Sequence, residues 1–245
     1  MDSGYYAACT ALISRTQALD TIANNLANAN TVGFRAQHNV FSAMLANATD
    51  SSNSPLNKAI NSYAVLSGIT VDQTQGALQK TGNNLDLAIQ GPGFFEVQTP
   101  GGPMYTRDGS FQVSSNGQLT TASGDPVMGA GGPLTLPPGE VSISADGTIS
   151  SRGAVAGKVK VVEFKPGTTL TSAGETYYSV PPDSEAATTE SSVKQGMLES
   201  SNVNPVTSMV ELITAQRSAE MMQHALTMFN SEMDKTATQD LPKVS

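Results

Sequence analysis

The chain predicts an α+β fold in which N- and C-terminal helices pair as a coiled coil and an all-β antiparallel domain is inserted between them. Three observations carry this. Heptad-spaced apolar residues run through both ends, short β-rich runs separated by turn dipeptides fill the middle, and no helical pattern alternates with those runs as a parallel α/β sheet would require.

The first element spans Tyr5 to Asn30. Tyr5, Leu12, Leu19 and Leu26 recur every seven residues, and Cys9, Thr16 and Ala23 fill the intermediate positions. Apolar side chains at alternating steps of three and four form one stripe along a helix, and a stripe has to be buried. At 1.5 Å per residue the helix is about 40 Å long. Asn28, Asn30 and Gly33 tolerate the left-handed conformation that ends helices, and Phe34 is expected to anchor the turn where the chain leaves.

The last element mirrors the first. Asn204 is a capping residue and Pro205 suits the first helical position, where its missing N–H is no loss. Leu212, Ala215, Ala219, Met222, Leu226, Phe229 and Met233 then follow in steps of three and four. Periodicity alone fits two core helices of one chain as well as helices that also pack against other copies.

Between about Gly76 and Val180 the runs Phe94–Val97, Ser110–Val113, Val141–Ile143 and Lys158–Phe164 read as strands. Asp108-Gly109, Asn116-Gly117 and Asp146-Gly147 favour the primed turns of two-residue hairpins. Close spacing of strands, with 22 Gly and 13 Pro in the chain, indicates an antiparallel barrel or sandwich. Residues 46–62 are polar and residues 181–192 acidic and rich in Ser and Thr, so both read as connectors.

Composition removes several functions. The net charge is −8 with only 13 Lys+Arg, which offers no footprint for a nucleic-acid backbone. No apolar run reaches the ~20 residues of a membrane-spanning helix, so no membrane insertion is expected. A lone Cys9 excludes an intrachain disulfide and a cysteine zinc site. The first residues lack the basic start and apolar run of a secretory signal peptide. Ser, Thr, Asn and Gln make up 80 of the 245 residues, a surface that neighbouring copies can pack against without desolvating ions.

Chemistry is equally sparse. His38 and His224 are the only histidines, and no nucleophile elbow, phosphate loop or zinc-binding helix motif is present. Gly91-Pro92-Gly93 lacks the lysine and helix of a phosphate loop. Glu96, Asp108, Glu140 and Glu163 leave a carboxylate pair formally open, but Asp108 and Asp146 are better explained as turn residues. Neither catalysis nor a cofactor or metal is expected.

Three strings resemble the bacterial flagellar rod and hook family. Ile22-Ala-Asn-Asn-Leu-Ala-Asn-Ala-Asn-Thr-Val-Gly-Phe-Arg35 is similar to its N-terminal signature. Gly93-Phe-Phe-Glu-Val97, Tyr105-Thr-Arg-Asp-Gly-Ser-Phe111 and Asn116-Gly-Gln-Leu119 resemble its central motifs. Leu198-Glu-Ser-Ser-Asn-Val-Asn-Pro-Val206, with Gln216-Arg217, resembles its C-terminal one. The segments Gly131–Pro137 and Ser144–Ser150 are similar to the branch found in the proximal rod next to the distal rod. The longer distal-rod branch is the alternative. Ser218-Ala219 departs from the aromatic that related members often carry there.

The resemblance implies residues 1–30 and 193–245 as an inner coiled-coil domain, 31–75 as a connecting arm and 76–192 as the β domain. It implies a torque-transmitting structural subunit of the basal-body rod in the periplasm, exported through the flagellar type III apparatus. Its partners would be copies of itself and other proximal and distal rod proteins. The subunit interface would comprise Tyr5, Leu12, Leu19, Leu26, Leu212, Ala215, Met222, Leu226, Phe229 and Met233. Asn24 and Asn25 are assigned there too, while Asn28 and Asn30 equally suit helix-end chemistry. The rival class is an exported cell-wall-acting enzyme or binding module on a β scaffold.

Overall fold

The computed structural model describes residues 2–43, 64–174, 176–182, 184–185 and 190–235. The chain divides into two compact units, one of Met1–Leu26, His38–Ile69 and Pro205–Ser245, the other of Ala27–Gln37 and Thr70–Asn204. The polar stretch 46–62 lies outside the described residues.

The first unit holds both long helices, Asp2–Ala27 and Pro205–Lys235. The N-terminal helix takes in Gly4 and stops three residues short of Asn30, where Thr31 N–H bonds Asn28 O in a turn. The C-terminal helix begins at Pro205, as the cap-plus-proline pattern predicts. Hydroxyls inside the helices are satisfied by carbonyls one turn back: Thr16 bonds Leu12 O, Thr214 bonds Val210 O and Ser218 bonds Thr214 O.

Burial along the N-terminal helix does not follow the leucine stripe alone. Leu12, Leu19 and Leu26 are half-buried, whereas Thr21 and Asn25 are the buried residues of the N-terminal helix. Ala11, Ser14, Ala18, Thr21 and Asn25 lie on one ridge at alternating steps of three and four. Small side chains let a neighbour approach along that ridge, so the leucines flank it. Thr21 Oγ1 lies 3.0 Å from both Gln17 O and Asn39 Oδ1, and Asn39 Nδ2 donates to Gln17 O. The strand Gln37–Ala43 thereby lies along the helix; it pairs with Ala64–Val71 in a two-stranded ribbon.

The C-terminal helix carries two stripes. Leu212, Ala215, Met222 and Leu226 are half-buried and Ala219 is buried. Val206, Met209, Val210, Ile213, Met221 and Met228 are exposed on a second set of positions outside the predicted stripe.

In the second unit the described strands are distributed over several small antiparallel sheets rather than one closed barrel or plain sandwich. The largest has five strands in the order Val161–Val162, Phe94–Thr99, Gly102–Thr106, Tyr177–Ser179, Thr171–Ser172. Its second strand buries both faces. Phe95 and Val97 join Leu87, Phe111, Leu119 and Ile149 in one core, while Phe94 joins Tyr105, Leu170 and Tyr178 in another. A strand buried on both sides is largely apolar, and in Phe94–Val97 the exception is Glu96, which is ion-paired with Lys160. Two later strands complete the unit from the C-terminal side. Ser192–Gln195 pairs with Leu87–Gln90, and Met197–Glu199 with Leu78–Lys80. The connector expected over residues 181–192 thus ends as the first of these strands begins.

The turns correct the expected hairpins. At Asn116-Gly117 and Asp146-Gly147 only the glycine has positive φ, 77° and 83°. Gly117 N–H bonds Ser114 O and Gly147 N–H bonds Ser144 O. Both are therefore three-residue loops with a left-handed glycine, not two-residue primed turns. Asp108-Gly109 closes no hairpin. A Cβ on Gly109 would sit 1.7 Å from Leu87 O, so glycine is required there by close backbone approach. Positive φ at both central residues, as a type I′ turn requires, occurs at Arg152 (52°) and Gly153 (82°), between the paired Ser151 and Ala154.

Candidate functional site: a buried arginine–glutamate–arginine junction

Within the second unit, the three strings that carry the family resemblance meet at one point. Arg35 ends the first, Arg107 lies in the second and Glu199 in the third, and each side chain is 1% exposed. Glu199 Oε1 is 2.8 Å from Arg35 Nη2, an ion pair rather than an aligned hydrogen bond, and Glu199 Oε2 accepts from Arg107 Nη1 at 2.9 Å. Gly76 N–H donates to Glu199 Oε1 at 2.9 Å.

Each element delivers its residue for a local reason. Met197–Glu199 is a strand, and its backbone continues past Leu78 so that Ser200 N–H bonds Ala77 O. Gly76 allows that approach, since a Cβ there would fall 1.9 Å from Ser200 O. Gly33, at φ 69°, turns the chain beneath Arg107, and a Cβ on it would lie 2.3 Å from Asp108 N. Phe34 is buried with Ala36 and Val203 in a small cluster of its own. Asn202 ties the strands together: its Oδ1 accepts from Ala36 N–H and its Nδ2 donates to the carbonyls of Asp72 and Thr74.

Arg107 is the better-held cation. Nη2 donates to Gly91 O at 2.5 Å, Nη1 also reaches Ile89 O, and the guanidinium lies 4.8 Å from the Phe94 ring centroid. Burial pulls its pKa down to about 10 against the opposing pull of Glu199. Tyr178, whose hydroxyl accepts from Arg35 N–H at 3.0 Å, is pushed up to about 12, chiefly by burial. The geometry is that of a structural lock. Glu199 is held by both guanidinium groups and Gly76 N–H, and Arg107 by Glu199 and two backbone carbonyls, while Arg107 Nε and the Arg35 guanidinium nitrogens make no hydrogen bond.

Of the carboxylates raised as an acid–base set, Glu140 is exposed and Asp108, Glu163 and Glu96 serve other ends, as does the turn residue Asp146. Asp108 Oδ1 accepts from Ser110 N–H and Oγ, forming an Asx turn. Glu163 Oε1 accepts from the amides of Glu190 and Ser191 and from Ser191 Oγ. Glu96 is ion-paired with Lys160, whose pKa the contact raises. Asp146 caps its loop through Thr148, which lowers its pKa. Among the described residues, no group of three or more His, Cys, Asp or Glu is placed to hold a metal ion.

Of the interface residues expected from sequence, Asn24 is exposed and Asn25 buried within its own chain. The side chains of Tyr5, Phe229 and Met233 lie outside the described residues. Sequence reasoning passed over Arg107 and Glu199 although it quoted both strings. The available signal was Arg107 in the central string and Glu199 as the lone charge of the string Leu198–Val206, in a chain only 14% charged.

Three family models match the chain: residues 6–35 that of the flagella basal body rod protein, residues 88–151 the D1 domain of flagellar hook protein FlgE/F/G, and residues 194–240 the C-terminal region of flagellar basal body rod FlgEFG proteins. The flagellar basal-body rod protein FlgF of Mesorhizobium japonicum is 38% identical over 90% of both chains. That of Caulobacter vibrioides is 35% identical over the full length of both, and FlgG of Buchnera aphidicola is 32% identical over 93% of this chain and 92% of its own. The class defined is that of the structural proteins along the flagellar axis, not of enzymes. The chain belongs to the flagellar basal-body rod protein family.

Proposed function

We propose that the chain is a structural subunit of the proximal rod of the flagellar basal body, exported through the flagellar type III apparatus. Its terminal helices pair with each other along the half-buried stripe and pack against neighbouring rod subunits through the rest of their surface. The observation that carries this reading is the second stripe of the C-terminal helix. Ile213, Met221 and Met228 are 50%, 65% and 71% exposed. Apolar residues recurring along one helix face are costly to leave in water, each contributing about 1.5–3 kcal/mol when buried. In the single chain one stripe is half-buried and the other exposed, which supports a role for the second in contacts with other subunits.

In this reading Leu12, Leu19, Leu26, Leu212, Ala215, Met222 and Leu226 form the inner seam, joined by Tyr5, Phe229 and Met233. Asn24, exposed on the N-terminal helix, lies on the face assigned to a neighbour. Residues 1–30 and 193–245 supply the helical inner layer, 31–75 the arm and 76–192 the β domain. A second reading within the family is the distal rod: relatives named FlgG match at 32–33%, against 34–38% for those named FlgF. The FlgF matches favour the proximal position.

The test is complementation of a strain lacking this chain with Leu19→Asp and with Ile213→Asp. Purified variants should keep the β unit's cooperative melt, yet basal bodies imaged by electron microscopy should show a truncated shaft. Normal motility with either variant removes the stripe it interrupts from the interface.

A further inference from the structure

The fastening of residues 27–37 to the β unit is lopsided. On the Arg107 side, the guanidinium makes three hydrogen bonds, stacks on Phe94 and sits beside the larger cores. On the Arg35 side, Glu199 is the charged partner, and Arg35 Nε and Nη1 are buried without an acceptor. Backbone groups of the segment add further ties. Gly33 N–H bonds Glu199 O, Arg35 N–H the Tyr178 hydroxyl and Ala36 N–H Asn202 Oδ1, while Phe34 O and Ala36 O accept from the amides of Asn202 and Asp72. The apolar support beneath it is the small Phe34–Ala36–Val203 cluster, separate from both cores.

Elements with little apolar burial open at lower free energy than the core they rest on. A buried cation with unbonded nitrogens lowers the cost of opening further, since those nitrogens regain water on release. We propose that Arg35–Glu199 is a latch: residues 27–37 detach from the β unit and return to it as one piece, while Glu199 stays docked on Arg107. The segment that follows the N-terminal helix thus has one breakable ion pair as its charged tie, beside its backbone hydrogen bonds and the small Phe34 cluster. This goes beyond the rod assignment and does not depend on it, because the latch belongs to the isolated chain.

Site-resolved amide exchange on the full-length monomer tests it. Arg35→Met should speed exchange at Gly33 and Ala36 by about tenfold or more, with the core amides of Leu119 and Val127 changed less than about twofold. Arg35→Lys, which keeps the charge, should restore most of the protection. Arg107→Met should instead accelerate the core amides as well. Three results would overturn the latch: unchanged exchange in Arg35→Met, equal acceleration of core and segment in that variant, or Arg35→Lys behaving like Arg35→Met. Because every variant is read as a monomer, failure here leaves the rod assignment standing, and failure of rod assembly leaves the latch intact.

Discussion

Glu199 Oε2 and Arg107 Nη1 stand 2.9 Å apart although 92 positions separate them in the chain. Two cations share this one carboxylate in a site closed to water, an arrangement whose desolvation offsets most of its Coulomb gain. Removing the carboxylate alone leaves two buried arginines unneutralised. Glu199→Ala should therefore lower the unfolding free energy by about 3–5 kcal/mol in urea titrations. Replacing Arg35, Arg107 and Glu199 together with Met should recover most of that loss, because no buried charge then remains.

Glycines in this protein answer to two different demands, and alanine scanning separates them. Gly33→Ala and Gly109→Ala each drive a Cβ into backbone, 2.3 Å from Asp108 N and 1.7 Å from Leu87 O, and should cost about 3 kcal/mol or more. Gly82 also has positive φ, 79°, but nothing lies within 4 Å of its would-be Cβ. Gly82→Ala should cost only about 1 kcal/mol of conformational strain. Thermal melts of the three variants should fall in that order.

Arg152 holds a left-handed backbone, φ 52°, that disfavours a long side chain. Arg152→Asn places a residue suited to the type I′ position and should stabilise the β unit by about 0.5–1 kcal/mol. A higher melting temperature with an unchanged circular dichroism spectrum is the expected readout.

Alkali should unfold the chain by a route centred on tyrosine. The Tyr178 hydroxyl ionises at about 12 when folded against an ordinary 10.0, so the folded state keeps a proton that the unfolded state releases. Stability is full below pH 10 and falls as pH climbs toward 12. Tyr105 and Tyr177, raised chiefly by burial, and Lys160, raised by Glu96, act in the same direction. Arg107, lowered to about 10, opposes them because its buried charge is relieved above that pH. Tyr178→Phe should flatten the decline between pH 10 and 12 in equilibrium unfolding curves.

Local signals in the sequence were legible where a single residue type answers to the backbone. Pro205 marks the first residue of the C-terminal helix, and Gly117 and Gly147 carry the left-handed positions of their loops. Phe94–Val97 reads as a strand because Phe94, Phe95 and Val97 are aromatic or β-branched. The turn types were not legible, since Asp-Gly and Asn-Gly suit either a two-residue or a three-residue loop. Gly109 is needed for its closeness to Leu87, a neighbour that only the folded chain supplies.

By itself, the sequence determined the order of elements, the two apolar helical ends, the turn-rich antiparallel middle and the family. Those follow from periodicity and backbone chemistry, which act over a few residues. Tertiary structure decided which residues of each helix are buried, placing Thr21 and Asn25 deeper than the leucines, and it brought Arg35, Arg107 and Glu199 into one buried cluster. The physical reason is reach. A hydrophobic repeat states that a stripe must be covered but not by what, and a charge pair spanning most of the chain exists only after the strands that carry it have docked.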